Sequence, residues 1–215
     1  VLFRSPHKGL VAGIVKAKLA SVNTLFRGKT WWEGTSTDGE GFVEGLKRIQ
    51  VDAESLKHLV IIGSGGATSA LLATLARTAK QKPTIKILRR SATHDAELAA
   101  LLPKGRMAEF LPLNVQELGK ALKGKGDDTL LVQASSAPQQ GVDLKELVPA
   151  LDGYAGAFAD LVYGKPSALY FSAVARDLVC QDGEAMLIEQ ARLAQKRWWG
   201  KALGYDELAV ALRAK

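Results

Sequence analysis

From residue 57 onward, short apolar runs alternate with longer segments that have helical spacing. The run Leu59 to Ile62 is continuous and β-branched, which is typical of a strand buried on both faces of a parallel sheet. An Ala- and Leu-rich segment over 68–79 follows it and predicts a helix. Further strands are predicted over 84–88, 107–111, 129–133 and 157–162, with helices over 95–102 and 114–122. This alternation predicts an α/β fold with a doubly wound, Rossmann-like parallel sheet.

The two ends of the chain have a different pattern. Before residue 50 the sequence predicts a helix over 10–19, a hairpin around Gly28 and a helix over 41–49. After residue 180, the segments 185–199 and 206–213 have the spacing of helices with one apolar face. Neither end is long enough to form a core of its own, so we expect both to pack together as a second, partial α/β lobe.

These patterns predict three regions. Residues 1–50 form part of the second lobe, residues 51–180 form the Rossmann-like domain, and residues 181–215 are helices that pack back on the first region. The pairs Trp31-Trp32 and Trp198-Trp199 are expected to pack within the second lobe.

The composition is that of an ordinary globular protein, because 47% of the 215 residues are hydrophobic and 24% are charged. Cys180 is the single cysteine and cannot form an internal disulfide, so we expect a reducing compartment and a cytoplasmic location. No apolar run reaches the roughly 18 residues that a membrane span needs, and a membrane is not an expected partner.

The chain carries 29 Lys and Arg against 22 Asp and Glu, which gives a net charge of +7. The basic residues are scattered and are not interleaved with aromatic residues, so nucleic acid is not an expected partner. An anionic small molecule is the ligand that this charge favours. No metal site is expected.

The sequence Gly63-Ser64-Gly65-Gly66-Ala67 lies between the first predicted strand of the sheet and its helix. Glycines there permit a tight turn and let the backbone approach a pyrophosphate, which the N–H groups at the helix start can bind. The alternative is an ordinary strand-to-helix turn. The flanking strand and helix favour a dinucleotide site.

The end of the next predicted strand indicates which dinucleotide binds. NAD sites usually place an acidic residue there to bind the ribose hydroxyls. This chain has Arg89, Arg90 and Ser91 instead, and two guanidinium groups can bind a 2′-phosphate by charge-assisted hydrogen bonds. The sequence therefore predicts NADP as the cofactor, with a solvated basic pair as the alternative.

Seven short motifs follow one another along nearly the whole chain. They are Ser5-Pro6-His7-Lys8, Ser21-Val22-Asn23-Thr24, Ser36-Thr37-Asp38-Gly39, Gly63 to Ala67, Arg89-Arg90-Ser91, Asp160-Leu161-Val162-Tyr163, and Asp182-Gly183 with Met186, Leu187 and Gln190. In this order they resemble the motifs of the shikimate dehydrogenase family.

The resemblance implies an NADP-dependent enzyme that interconverts 3-dehydroshikimate and shikimate in aromatic amino acid biosynthesis. It implies that Lys8 and Asp38 are the catalytic pair, and which of the two holds the proton is left open. It also implies that the substrate contacts Asn23, Gln190 and Tyr163. The implied cofactor contacts are the glycine turn, Arg89, Arg90, Ser91, Ala134 and Met186.

The chain departs from the family pattern at several places. It begins after the stretch in which the family carries a pair of serines that bind the substrate carboxylate. Either the substrate lobe is truncated, or the chain is an unusual family member that lacks this stretch. Arg4 stands where the family usually has a threonine, Ser36 replaces an asparagine, and Gln133-Ala134-Ser135 replaces Asn-Ala-Thr. These departures keep two other functions open: a non-catalytic or diverged NADP-binding homologue, and a dehydrogenase of the quinate/shikimate type with another small hydroxy acid. A homodimer is one assembly that the sequence allows.

Overall fold

The computed structural model describes residues 22–28, 32–78 and 82–214. Arg4, Lys8, Trp31 and the helix predicted over 10–19 lie outside these residues. The elements in chain order are β1 (Thr24–Arg27), β2 (Trp32–Thr35), α1 (Asp38–Arg48), β3 (His58–Ile62), α2 (Gly66–Thr78), β4 (Thr84–Arg89), α3 (Asp95–Leu101), β5 (Ala108–Pro112), α4 (Val115–Leu122), β6 (Thr129–Gln133), β7 (Ala157–Asp160), α5 (Ala168–Val174), β8 (Cys180–Gln181), α6 (Gly183–Trp199) and α7 (Tyr205–Arg213). Two 3₁₀ helices, Pro138–Gln140 and Lys145–Leu151, lie between β6 and β7.

Strands β3 to β8 form one parallel six-stranded sheet in the order β5-β4-β3-β6-β7-β8. Counted from β3, this is the strand order of the doubly wound dinucleotide-binding folds. The predicted fold class is therefore confirmed. The order reverses between β3 and β6, and in such sheets ligands bind beyond the carboxyl ends of the strands at that point.

The sheet is buried on both faces, as the continuous apolar run of β3 predicted. Leu59 and Ile61 belong to the core cluster that α1 and α2 cover, whereas Val60 and Ile62 belong to the cluster on the opposite face. Each buried aliphatic side chain of this kind contributes roughly 1.5–3 kcal/mol to folding. These two layers hold the ends of β3 and β6 in a fixed position.

Strands β1 and β2 form an antiparallel hairpin in which Arg27 pairs with Trp32, so the predicted hairpin around Gly28 is confirmed. Helix α1 packs closely against α6. A Cβ atom at Gly41 would lie only 2.7 Å from the backbone nitrogen of Gln190, so glycine allows this approach. The contact brings Asp38, at the start of α1, near Gln190 on α6.

Some predictions were wrong in detail. Trp32 and Trp199 are 56% and 66% exposed, so these two side chains do not pack inside a lobe, whereas Trp198, 48% exposed, lies against the hairpin of the second lobe. Both Trp198 and Trp199 lie at the end of α6, and Trp198 uses its indole N–H to bond the Leu25 carbonyl at 2.7 Å. The helix predicted over 41–49 begins earlier, at Asp38, and the sequence did not predict α5 or β8.

Candidate functional site

The turn after β3 is held in one conformation by contacts with both neighbouring strands. Gly63 has a φ of +108°, and a Cβ atom there would lie 2.8 Å from the Ser135 nitrogen. Its N–H donates to the Leu88 carbonyl at 2.8 Å, and the buried Thr68 hydroxyl donates to its carbonyl at 2.9 Å. Gly63 is therefore required by the fold itself.

Gly65 has a different environment. A Cβ atom there would meet nothing within 4 Å, and its φ is not in the left-handed region. The fold therefore does not require glycine at this position. A pyrophosphate can approach the free N–H groups at the start of a helix only where no side chain lies above the backbone.

A cavity of about 490 Å³ lies over this turn, at the carboxyl ends of β3, β4 and β6. The residues predicted to bind the cofactor, apart from Met186, all line it: Gly63, Ser64, Gly65, Gly66, Ala67, Arg89, Arg90, Ser91 and Ala134. The site lies where the strand order reverses, which is the position expected for a dinucleotide.

The two arginines at the end of β4 differ in their partners. Arg89 forms a bidentate pair with Asp95, in which Nε lies 3.0 Å from Oδ1 and Nη2 lies 2.7 Å from Oδ2. Arg90 is exposed and makes no hydrogen bond or ion pair within the described part of the chain. Of the two, Arg90 is therefore the guanidinium available to an incoming phosphate, while Asp95 already engages two nitrogens of Arg89.

A second cavity of about 390 Å³ adjoins the first. Four residues line both cavities: Gly66, Ala67, Gln139 and Leu161. The second cavity is also lined by Asn23, Asp38, Tyr163, Met186 and Gln190. The structure thus brings together the described residues that were predicted to contact the substrate, and it places them beside the predicted cofactor site.

The Asn23 amide links three elements at this second cavity. Its Oδ1 accepts the Thr37 backbone N–H at 3.0 Å, which fixes the orientation of the amide because a backbone N–H can only donate. Its Nδ2 therefore donates to Asp38 Oδ1 at 2.7 Å and lies 3.2 Å from Gln190 Oε1. Asn23, Asp38 and Gln190 form one hydrogen-bonded network.

Burial raises the pKa of the Asp38 carboxyl, whereas hydrogen bonds from Asn23 and Ser36 lower it and partly oppose that effect. A carboxyl group whose pKa is raised in a cleft is suited to exchange or orient a proton. Lys8, the predicted partner of Asp38, lies outside the described residues.

The loop after β7 contributes to both cavities. Leu161 lines both, Val162 lines the first, and the half-exposed Tyr163 lines the second. The loop is anchored by Asp160, which is fully buried and accepts the Val162 N–H at 3.0 Å and the Ser167 N–H at 2.7 Å. Burial raises the pKa of Asp160.

Met186 lies in the first turns of α6 and is 8% exposed. It belongs to the core cluster under α1 and also lines the second cavity. Met186 therefore packs in the core and also forms part of the wall of the second cavity.

Two residues at the site were not singled out by sequence reasoning. Thr37 orients the Asn23 amide, and Gln139 lies where the two cavities meet. Thr37 is inside the motif that contains Asp38, and Gln139 follows the Gln133-Ala134-Ser135 segment, but only the folded structure shows which group each of them faces. Among the described residues, no cluster of His, Cys, Asp or Glu could hold a metal ion, and no helix is long and apolar enough to cross a membrane.

The chain is similar to curated proteins and to solved structures, although no family model matches it. It is 30% identical to shikimate dehydrogenase (NADP(+)) from Synechocystis sp., over 96% of this chain and 73% of that protein. It is 31% identical to the protein of the same name from Xanthomonas campestris, over 93% of this chain and 69% of that protein. The crystal structure of shikimate 5-dehydrogenase from Thermus thermophilus, in complex with NADP(H) and shikimate, superposes with a TM-score of 0.72 at 26% identity, over 92% of this chain and 69% of that one.

Proposed function

The chain belongs to the shikimate dehydrogenase family, and from that premise we propose that it interconverts 3-dehydroshikimate and shikimate with NADP as the cofactor. The observation that supports this most directly is the pair of adjoining cavities. One has the glycine turn and the arginines that suit a dinucleotide, and the other has the carboxylate and amides that suit a polyhydroxylated acid.

The first cavity fits the phosphates of NADP. The open space at Gly65 supports binding of the pyrophosphate there, and we propose that the exposed Arg90, with Ser91, binds the 2′-phosphate. When bound, the reduced cofactor supplies the hydride. Leu161 lines both cavities and Ala134 lines the first, and we propose that these two residues flank the nicotinamide.

In this proposal, Asp38 and Lys8 carry out the proton transfer. A ketone that accepts a hydride develops negative charge on its oxygen, so a proton donor must lie beside it. Lys8 supplies positive charge and the proton, and Asp38 orients the ammonium group and a substrate hydroxyl. Burial raises the pKa of Asp38, and in this proposal the two groups act as one coupled pair.

Asn23, Gln190 and Tyr163 are proposed to hold the substrate. Their amide and phenol groups match the donors and acceptors of ring hydroxyls. Aromatic amino acid biosynthesis and a cytoplasmic location are proposed from the family. We also propose the division into regions 1–50, 51–180 and 181–215, because the hairpin and α6 lie outside the sheet.

The proposal is tested by following NADP reduction with shikimate, with quinate and without substrate, using this chain and any longer form that its gene encodes. Turnover that prefers shikimate supports it. Preference for quinate would change the substrate, and NADPH binding without turnover would favour a non-catalytic homologue.

A further inference from the structure

Gln139 lies between the two cavities. Of the four described residues that line both, Gly66, Ala67 and Leu161 have no polar side-chain atom, so Gln139 supplies the polar side chain at the junction in this part of the chain. It belongs to the 3₁₀ helix that follows β6, on the cofactor side of the cleft. Asn23, Asp38 and Gln190 line the second cavity from elements outside the parallel sheet, on or beside β1, α1 and α6.

The backbone that carries Gln139 is well anchored. Ala137 and Pro138, which precede it, are buried. The Gln140 N–H donates to the Ala137 carbonyl at 3.0 Å, and the Val142 N–H donates to the same carbonyl at 2.9 Å. Gln139 therefore projects from a fixed turn.

The side-chain amide of Gln139 is available for a ligand. It is exposed and makes no hydrogen bond to any residue that the structure describes. The neighbouring Gln140 differs, because its Nε2 donates to Ser136 Oγ at 2.9 Å and it lines the first cavity without lining the second.

Gln139 adds a free polar group to the second cavity. Asn23 is partly engaged with Thr37, Asp38 and Gln190, and Oε1 of Gln190 faces Asn23. A substrate with several ring hydroxyls can use donors and acceptors beyond those of Asn23, Gln190 and Tyr163. A free carboxamide can donate and accept at once, as a hydroxyl does.

We propose that Gln139 is a specificity-determining residue whose carboxamide hydrogen-bonds a ring hydroxyl of the substrate from the cofactor side of the cleft. This inference rests on the proposed function and extends it. It assigns a substrate contact to a residue outside the motifs that define the family resemblance. The bound substrate then contacts both sides of the cleft.

The test compares Gln139→Met with Gln116→Met, since methionine keeps the length of glutamine and removes its polar atoms. Gln116 is an exposed residue of α4 that lines neither cavity. Gln139→Met should raise the KM for shikimate about 3- to 10-fold, the effect of losing one hydrogen bond between neutral groups. The KM for NADP should stay within about twofold, because the cofactor phosphates are bound elsewhere. Gln116→Met should leave the KM for shikimate within about twofold.

Deoxy analogues of shikimate, each lacking one ring hydroxyl, identify the partner. With the wild-type protein, one of these analogues should bind more weakly than shikimate. This difference in affinity should vanish in Gln139→Met, because removing the hydroxyl and removing the carboxamide abolish the same hydrogen bond. An unchanged KM for shikimate, or a rise in the KM for NADP alone, would overturn the inference. If the wild-type protein neither binds nor turns over shikimate, the proposed function fails and the inference fails with it. If the wild type is active and the variant equals it, the inference alone fails.

Discussion

The Asn23 amide nitrogen lies 2.7 Å from Asp38 Oδ1, which joins the residue before β1 to the first residue of α1. The same nitrogen lies 3.2 Å from Gln190 on α6. Asn23 therefore has two effects: it orients the carboxylate, and it stabilises the charged form of that carboxylate against the burial that disfavours it.

Replacing Asn23 by alanine should move the acidic limb of the pH dependence of kcat/KM to higher pH. The hydrogen bond favours the ionised carboxylate, so its loss raises the pKa of Asp38 further and the carboxylate then protonates at a higher pH. We expect kcat/KM at neutral pH to fall about 10- to 100-fold, the effect of losing a hydrogen bond to a charged group.

Ser36→Ala is the matched control for Asn23→Ala. The Ser36 hydroxyl lies 3.5 Å from Asp38 Oδ2, so its hydrogen bond is weaker than that of Asn23. Its loss should move the acidic limb in the same direction by a smaller amount. An acidic limb that stays in place in Asn23→Ala would show that Asp38 does not control the reaction.

Two glycines of the same turn should respond differently to alanine. Gly63→Ala should lower the free energy of unfolding by about 1–3 kcal/mol, because of its positive φ and its close approach to Ser135. Gly65→Ala should leave stability within about 0.5 kcal/mol and weaken NADPH binding about tenfold or more, because the new methyl group enters the pyrophosphate space. Urea unfolding and a fluorescence titration with NADPH separate the two effects, and normal NADPH binding by Gly65→Ala would contradict this assignment.

The arginines at the end of β4 should also differ. Arg90→Ala should weaken NADP binding by about 1.5–3 kcal/mol and leave NAD binding nearly unchanged, because it removes a charge-assisted bond to the 2′-phosphate. Arg89→Ala should change the preference for NADP over NAD less, since Asp95 engages two of its nitrogens. Titrations with NADP and with NAD measure these binding free energies. Equal losses of NADP and NAD binding in Arg90→Ala would show that Arg90 does not recognise the 2′-phosphate.

Asp160 should stabilise the loop that carries Leu161 and Tyr163. Asp160→Ala leaves the Val162 and Ser167 N–H groups without their acceptor, so the free energy of unfolding should fall by about 2–4 kcal/mol. Asp152 is a suitable control, because it pairs with Arg176 at an exposed position, and Asp152→Ala should lower stability by less than about 1 kcal/mol. Similar losses in the two variants, measured by urea unfolding, would show that the buried carboxylate does not hold the loop.

Much of the sheet could be predicted from sequence because its signals are local. Strand β6 has the predicted bounds, 129–133, and both faces of β3 are buried as its continuous apolar run indicated. Helix α1 was predicted to begin at residue 41 and begins at Asp38, although Gly39 in its first turn is a poor helix former. Contact with α6 overrides that preference. Strand β8 has two residues, too few for a pattern.

The site could be predicted only in part. Motif order gave the identities of Asn23, Asp38 and Gln190, but their hydrogen bonds depend on how β1, α1 and α6 pack. Two arginines in succession suggested two phosphate contacts, and only the folded chain shows that Asp95 engages Arg89. Similarly, nothing in the local sequence distinguishes Gln139 from Gln140.

The central claim is that this chain transfers a hydride between NADP and the ring carbon of shikimate. The most direct measurement is the mass of the product formed from 3-dehydroshikimate and NADPH that is deuterated at the transferable position of its nicotinamide. We expect shikimate that carries one deuterium, and loss of that product in Asp38→Asn although NADPH still binds. Bound NADPH without any deuterated shikimate, from this chain and from any longer form of it, would contradict the account.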